Sequence, residues 1–365
     1  MHLDYRDEIR TPPRQHFFVV GVLICSCYCY NCDMKHLIRV GVLRGGPSNE
    51  YDVSLQSGAN VLGALQKHFG DTYQARDVFI DRTGVPHLDG RPIDLEDLST
   101  TVDVIFNALH GTYGEDGKIQ HFLETHGIPF TGSGSLGSAV GMNKILSKKV
   151  FADHGIKSPY WKEIMSENVR NDAETVAKEL FTTFILPAVI KPTSSGSSVG
   201  VSIARSYAEI LPALVLAAEH GDSILIEEFI PGIEATCGVI EGFRGQDLYA
   251  LPPVEIRPHS GFFSYDAKYQ GKSDEIVPAS FAEHMKKAIE ETAAKIHRAL
   301  GLKHYSRSDF IIHPRRGIYV LEVNTLPGLT GESLIPKSLR AVGSDTHELV
   351  DHLIGLALKR KTEKN

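Results

Sequence analysis

Arg307-Ser308-Asp309-Phe310-Ile311-Ile312 and Ile318-Tyr319-Val320-Leu321-Glu322-Val323-Asn324 are two largely apolar runs separated by His313-Pro314-Arg315-Arg316-Gly317. Runs rich in β-branched and aromatic residues on either side of a Pro/Gly turn read as an antiparallel hairpin, Tyr305–Ile312 with Ile318–Asn324. A turn centred between Arg315 and Arg316 sets Asp309 opposite Glu322 and Arg307 opposite Asn324. Strand side chains alternate with period two, so this register puts all four on one face. Ile311, Val320 and Ile318 then continue that row, and Phe310, Ile312, Tyr319, Leu321 and Val323 share the other face. Both faces are apolar except at one end. Charges there need partners, because an isolated buried carboxylate is very costly. Two carboxylates and an amide oxygen are hard ligands suited to Mg²⁺, which keeps its other positions for water and phosphate oxygens. A structural Arg–Asp/Glu pair at a sheet end is the plain alternative, and spacing alone does not separate the two.

A second stretch bears on that choice. Lys191-Pro192-Thr193-Ser194-Ser195-Gly196-Ser197-Ser198-Val199-Gly200 lies between the strands Ala188–Lys191 and Val199–Ala204. It lacks the GxxxxGK[ST] pattern opening a helix. Its small residues nevertheless let backbone N–H groups and hydroxyls approach an anion closely. Lys191 directly follows an apolar run and is placed at the strand end, as a phosphate-binding cation would be. A flexible surface hairpin is the alternative for the Ser/Gly run, and a solvated helix-start lysine is the alternative for Lys144 in Gly141-Met142-Asn143-Lys144.

Towards the N-terminus, Leu37–Leu43 reads as a buried strand ended by Gly45-Gly46-Pro47, Ser54–Phe69 as a helix, and Val102–Leu109 as another strand running into His110-Gly111-Thr112-Tyr113-Gly114-Glu115-Asp116-Gly117. A helix through Ile119, Phe122 and Leu123 follows. Strands alternating with helices imply a parallel, two-sided sheet whose ligands bind beyond the strands' carboxyl ends. A second unit contains a helix from about Met142 to His154, a helix ending near His220 and the strand Ser223–Phe229. A third has strands at Ala235–Glu241, Leu248–Ala250 and Val254–Ile256, the helix Phe281–Leu300, the charged hairpin and a terminal helix His347–Lys361. The polar stretch Arg257 to Asp274, about 18 residues without clear periodicity, is long enough to suggest a functional loop. No internal repeat or low-complexity segment is evident.

Composition sets the outer bounds. The 365 residues allow two or three packed units, and 42% hydrophobic with 23% charged residues is ordinary for a globular chain. A net charge of -7 gives no whole-chain basic footprint, which argues against nucleic acid as partner. Cys25, Cys27, Cys29 and Cys32 cluster, and only Cys237 lies elsewhere, so the body carries no disulfide framework. The cluster lacks paired CxxC spacing and sits in an apolar setting unusual for a zinc site. The apolar stretch Phe17 to Tyr30 is short for a bilayer span, and no A-x-A cleavage site follows it. The expectation is that translation starts at Met34, leaving residues 1–33 as a weakly structured extension, with no stable membrane insertion.

Taken together, Gly45-Gly46-Pro47-Ser48-Asn49-Glu50, His110-Gly111-x-x-Gly114-Glu115-Asp116-Gly117, Lys191-Pro192 with Gly196-Ser197-Ser198-Val199-Gly200, Tyr265-Asp266-Ala267-Lys268-Tyr269 and Glu322-Val323-Asn324-Thr325-x-Pro327-Gly328 resemble the ATP-grasp superfamily, specifically the D-alanine–D-alanine ligases. The resemblance runs from about residue 38 to the C-terminal region and leaves the first 33 residues unmatched. It implies an α/β fold with an α+β C-terminal part: an ATP-grasp architecture of three domains, 34–132 with a Rossmann-like parallel sheet, 133–227, and 228–365. It implies ATP between the second and third domains. Lys144, Lys191, Ser197 and Ser198 would lie at its phosphates, and Glu227, Phe229, Ile230 and Glu234 around adenosine. Asp309, Glu322 and Asn324 would hold two Mg²⁺ ions, which Mn²⁺ could replace. Glu50 would receive the first D-alanine's ammonium, with His110 and Lys268 nearby; by itself Glu50 reads equally as an acid at a helix N-terminus, and His110 as a structural histidine. Tyr269, Ser197 and Glu50 would form a hydrogen-bonded set. Ser333 and Leu334 would bind the second D-alanine, and Arg307 with the Gly328 N–H would stabilise oxyanion charge.

The implied reaction is ATP-dependent formation of D-alanyl-D-alanine through an acyl phosphate, in the cytoplasm, by an enzyme whose relatives are commonly homodimers. Two other readings stay open at this point: a ligase taking D-lactate or D-serine as acceptor, and a catalytically silent nucleotide-binding protein.

Overall fold

Val40, Val42, Val104 and Phe106 on two adjacent strands are buried on one side, and Leu43 and Ile105 are buried on the other. A sheet covered on both faces is what such continuous apolar strands require. The computed structural model describes residues 37–194, 199–258 and 273–362, and Leu37–Asn365 form one compact unit. The expectations for residues 1–33 and their four cysteines, and those for Ser197, Ser198, Lys268 and Tyr269, fall outside the described residues.

The first sheet has the order β4-β3-β2-β1-β5 and is built from β1 (Ile38–Gly45), β2 (Tyr73–Ile80), β3 (Pro86–Leu88), β4 (Arg91–Pro92) and β5 (Val104–Asn107). The strand β1 runs parallel to β2 and β5, while β2, β3 and β4 form an antiparallel edge. Helix α1 (Tyr51–His68) covers one face, and α2 (Leu98–Thr101) and α3 (Lys118–Thr125) cover the other. The two glycine-rich stretches lie at the carboxyl ends of β1 and β5, as expected.

The second sheet has the order β6-β9-β7-β8: β6 (Trp161–Met165), β7 (Ala188–Pro192), β8 (Ser202–Ala204) and β9 (Ser223–Glu228), all antiparallel. Two helices, α6 (Ser166–Thr183) and α7 (Tyr207–Ala218), pack on it through Ala177, Leu180, Ile210 and Leu214. Neither β6 nor α6 was expected. The helix expected from about Met142 to His154 is α5 (Lys144–Asp153), and α4 (Ser135–Met142), which precedes it, was not expected. Asn143 separates them: its backbone is extended, and its side chain accepts from the Ile145 and Leu146 N–H groups, an N-cap that starts α5 at Lys144.

The third sheet contains β10 (Ile233–Glu241), β11 (Leu248–Ala250), β12 (Val254–Pro258), β13 (Ser273–Ile276), β14 (Tyr305–His313) and β15 (Gly317–Asn324), in the order β13-β12-β10-β14-β15 with β11 beside β10. Helix α8 (Glu283–Ala299) covers one face through Ile289, Ala293 and Ile296. Two helices follow, α9 (Leu334–Ala341) and α10 (Thr346–Thr362). The terminal helix α10 bridges the third sheet, where His352 bonds the Glu241 carbonyl at the end of β10, to the first. Its Leu349, Val350, Leu353 and Ile354 join Val61 and Leu65 of α1 and the valines of β1 in one core. Among the described residues no helix is long and apolar enough to cross a membrane.

The hairpin register is as expected at the charged end, with Arg307 opposite Asn324 and Asp309 opposite Glu322. It shifts between Asp309 and Phe310, where Leu321 is an extra residue, so Phe310 faces Val320 and Ile311 faces Tyr319. A bulge of one residue exchanges the faces of everything beyond it. Val320 and Ile318 therefore join Phe310, Ile312 and Val323 in the core under α8, and Tyr319 joins Ile311 and Leu321 on the opposite side. This corrects the expected facial assignment near the turn and leaves that of the four polar residues intact.

Candidate active site

The bulge leaves Asp309 at the centre of a polar cluster. Arg307 grips its carboxylate with Nε and Nη2, both at 2.9 Å, a bidentate arrangement. Thr236 Oγ1 donates to Asp309 Oδ1 at 2.6 Å from the neighbouring β10, and Asn324 Nδ2 donates to Oδ2 at 3.2 Å. Across the pair, Glu322 Oε2 lies 3.2 Å from Lys144 Nζ. The N-cap at Asn143 and a backbone bond from Lys144 N–H to Thr193 O (3.0 Å) place that lysine. Helix α5 is thereby tied to the start of the serine-glycine loop.

Glu227, at the end of β9, is buried and holds two lysines. Lys191 Nζ is 2.5 Å from its Oε2, and Lys148, one turn after Lys144, contacts its Oε1. Burial would raise the Glu227 carboxyl, but the two ammonium charges outweigh it and hold the group below the usual carboxylate range. Burial pushes the Lys148 ammonium down. Val189, Phe229, Ile230, Ile311 and Leu321 supply apolar walls, so a pocket between the second and third sheets has an apolar end and a charged end.

A second pocket adjoins it beyond Glu322, bordered by Glu50, His110, Gly111 and Glu115 from the segments that follow β1 and β5. Glu50 is the N-cap of α1. Its Oε2 lies 2.8 Å from where a Cβ on Gly111 would sit, and Gly111 has φ +70°, a conformation that favours glycine. His110 Nε2 shares a hydrogen bond of 2.9 Å with Ser57 Oγ, and its Nδ1 is 3.8 Å from Glu115 Oε1, which accepts the Gly111 N–H at 2.9 Å. Opposite, Ser333 Oγ accepts the Thr330 N–H at 3.1 Å and abuts Gly328, where an added Cβ would come within 2.8 Å of it.

Every nominated residue among the described ones lines one of these pockets. Lys144, Lys191, Glu227, Phe229, Ile230, Glu234, Arg307, Asp309, Glu322 and Leu334 line the first. Glu50, His110, Lys144, Arg307, Glu322, Asn324, Gly328, Ser333 and Leu334 line the second. Sequence reading missed Lys148, Thr236 and Ser57. Only Lys148 carried a signal, its spacing of four from Lys144 on one helix face. The residues present fit a hard cation. Among the described residues no group of three His, Cys, Asp or Glu side chains gathers, but Mg²⁺ needs only one or two carboxylates when phosphates supply other ligands, and Asp309, Glu322 and Asn324 meet that requirement.

Comparison with known proteins places this arrangement. Residues 150–355 match the family model described as D-ala D-ala ligase C-terminus, and residues 85–133 match that of the D-ala D-ala ligase N-terminus. A D-alanine–D-alanine ligase of Geobacter sulfurreducens is 41% identical over 329 residues, covering 89% of this chain and 96% of that protein. One from Moorella thermoacetica is 36% identical over 88% of this chain and all of its own length (100%). Among solved structures, the VanG D-Ala:D-Ser ligase of Enterococcus faecalis superposes with a TM-score of 0.77 at 31% identity, covering 88% of this chain and 99% of its own. The D-alanine–D-alanine ligase of Bacillus anthracis complexed with ATP gives 0.71 at 32% identity, covering 90% of this chain and 100% of its own. The chain belongs to the D-alanine–D-alanine ligase family.

Proposed function

We propose that the protein joins two D-alanines into D-alanyl-D-alanine, with ATP as the phosphoryl donor, for peptidoglycan precursor synthesis in the cytoplasm. The observation that carries the mechanism is the shared wall: Lys144, Arg307, Glu322 and Leu334 belong to both pockets. Phosphoryl donor and amino-acid substrates bound on the two sides would meet at one charged partition.

In this reading the first pocket takes ATP. Phe229, Ile230 and the apolar walls hold the base, Glu227 and Glu234 accept its hydrogen bonds and those of the ribose, and Lys144, Lys191, Ser197 and Ser198 hold the phosphates. Asp309, Glu322 and Asn324 would hold two Mg²⁺ ions (or Mn²⁺), which when bound neutralise phosphate charge. Glu50 takes the ammonium of the first D-alanine, with His110 and Lys268 beside it. A carboxylate oxygen of that D-alanine attacks the γ-phosphorus, the β–γ bridging bond breaks, and an acyl phosphate and ADP result. Ser333 and Leu334 orient the second D-alanine, whose amine attacks the carbonyl carbon. Arg307 and the Gly328 N–H stabilise the oxyanion, the C–O bond to phosphate breaks, and the amine's proton leaves with the products. Tyr269, Ser197 and Glu50 would act as a hydrogen-bonded set that keeps water from the acyl phosphate. The three sheets support three functional parts, 34–132, 133–227 and 228–365, in a homodimer.

Phosphate release with ATP and Mg²⁺, with D-alanine added or withheld, tests this reading when joined to product mass spectrometry over D-alanine, D-serine and D-lactate. D-alanine-dependent release with D-alanyl-D-alanine as main product is expected. Glu322→Ala should lose at least about a hundredfold, the scale of a lost electrostatic group in a buried site. A different main product, or near-normal turnover in Glu322→Ala, refutes the assignment.

A further inference from the structure

The second pocket has a charged wall that the roles above leave unused. Lys337, on the turn of α9 after Ser333, donates to Glu275 Oε2 at 2.9 Å and lies 2.9 Å from Glu332 Oε2. The Lys337 N–H bonds the Ser333 carbonyl at 3.2 Å, so the two side chains stand on one face of the helix. Glu275 is in register with Ile256 of β12, and Ile256 with Glu234 of β10, so these three share one face of the third sheet. On that face Leu334 packs against Val254 and Ile256. The start of α9 is thus held to the sheet twice, by the apolar contact of Leu334 and, one turn on, by the ion pair of Lys337. Glu275 and Lys337 side chains are 14% and 25% exposed, whereas Glu332 is 92% exposed. The contact to Glu275 is therefore the one that resists screening by water and salt. Glu275, Ser333 and Leu334 all line the second pocket.

We infer that the Lys337–Glu275 ion pair is a positioning pair that sets acceptor selectivity, by fixing the first turn of α9 so that Ser333 and Leu334 admit the carboxylate and methyl group of a second D-alanine. This rests on the proposed ligase reading and on the assignment of Ser333 and Leu334 to the acceptor. A pocket discriminates weakly between side chains that differ by one hydroxyl, so a small displacement of this turn registers first as a changed preference between D-alanine and D-serine.

The test uses the full chain with ATP, Mg²⁺ and a fixed mixture of D-alanine and D-serine, and compares the parent with Lys337→Met, Glu275→Gln, the double variant and Lys337→Arg. The yield ratio of D-alanyl-D-serine to D-alanyl-D-alanine is read by mass spectrometry; it does not depend on how much enzyme is folded. With D-alanine alone, the two Michaelis constants of dipeptide formation are read from the concentration dependence. The expected result is a product ratio shifted at least threefold and an acceptor KM raised about tenfold in Lys337→Met and in Glu275→Gln. The double variant should be no worse than either, Lys337→Arg should restore at least half of the change, and donor and ATP constants should stay within twofold. An unchanged ratio and acceptor KM in both single variants, or equal losses at donor and acceptor sites, overturns the inference. A parent that makes no D-alanyl dipeptide refutes instead the ligase reading beneath it.

Discussion

Glu227→Gln is the most informative single perturbation, because it removes a charge and almost no volume. Glu227 is 2% exposed and Lys148 is fully buried, and Lys191 reaches the same carboxylate. With Lys191 Nζ at 2.5 Å, Coulomb's law at an effective dielectric of 20 assigns about 7 kcal/mol to that one attraction. Desolvation of both charges offsets most of it. What remains decisive is Lys148, whose burial already opposes its charge and which would lose the one carboxylate it contacts, leaving only the more distant Glu322. Removing one partner of a buried pair costs about 3–5 kcal/mol, a large part of a typical stability of about 5–15 kcal/mol. Replacing both partners by neutral groups of similar volume is often near neutral. Equilibrium urea unfolding at pH 7 of the parent, Glu227→Gln, Lys148→Met and the double variant measures both terms. The expected pattern is a loss of about 3–5 kcal/mol in Glu227→Gln, of which the double variant recovers at least half. A loss below about 1 kcal/mol in Glu227→Gln, or additive losses in the double variant, would refute the reasoning, since a coupled buried pair gives neither.

Two further outcomes are expected. Gly111→Ala puts a side chain at φ +70° with its Cβ 2.8 Å from Glu50 Oε2, so it should cost about 1–2 kcal/mol of stability and raise a D-alanine KM severalfold with the ATP KM unchanged; equal effects on both constants in steady-state kinetics would contradict the placement of Glu50. His304 accepts the Gly132 N–H on Nδ1 at 3.0 Å, and burial lowers it to about 4. A histidine in the unfolded chain takes up its proton near 6.5, so this group's contribution is full above that pH and is lost as pH falls towards 4, by up to about 3 kcal/mol. Urea midpoints at pH 7.5 and 4.5 should therefore diverge less in His304→Gln than in the parent; parallel curves would remove His304 from the acid response.

Much of the site was legible because its spacing is local. The offset from Arg307 to Asp309 and from Glu322 to Asn324 puts each pair on one side of its own strand; the turn, with His313 opposite Gly317, would alone set Asp309 against Leu321, and it is the bulge that brings Asp309 opposite Glu322. The bulge at Leu321 was not legible. Nothing in the alternation of Ile318 to Val323 distinguishes a strand with one extra residue from a regular one, and only packing under α8 on one side and against Ile230 on the other selects it. The N-cap at Asn143 agrees with a helix start expected near Met142, whereas the short helix α4 just before it was not expected. The helix α6 was missed because its polar, weakly periodic sequence is stabilised by docking on the second sheet rather than by its own pattern.

The sequence by itself determined the period of the strands and helices it identified, the side shared by Arg307 with Asp309 and by Glu322 with Asn324, and the glycine-rich ends of β1 and β5, since each depends on residues within a few positions of one another. Tertiary structure alone decided the rest: Lys148 meeting Glu227, Thr236 bonding Asp309, His304 receiving Gly132, Lys337 reaching Glu275, and α10 packing against α1 on the first sheet. These contacts join elements far apart in the chain. Which buried charge meets which partner is settled when the sheets and helices pack, because only then does desolvation make an unpaired group costly.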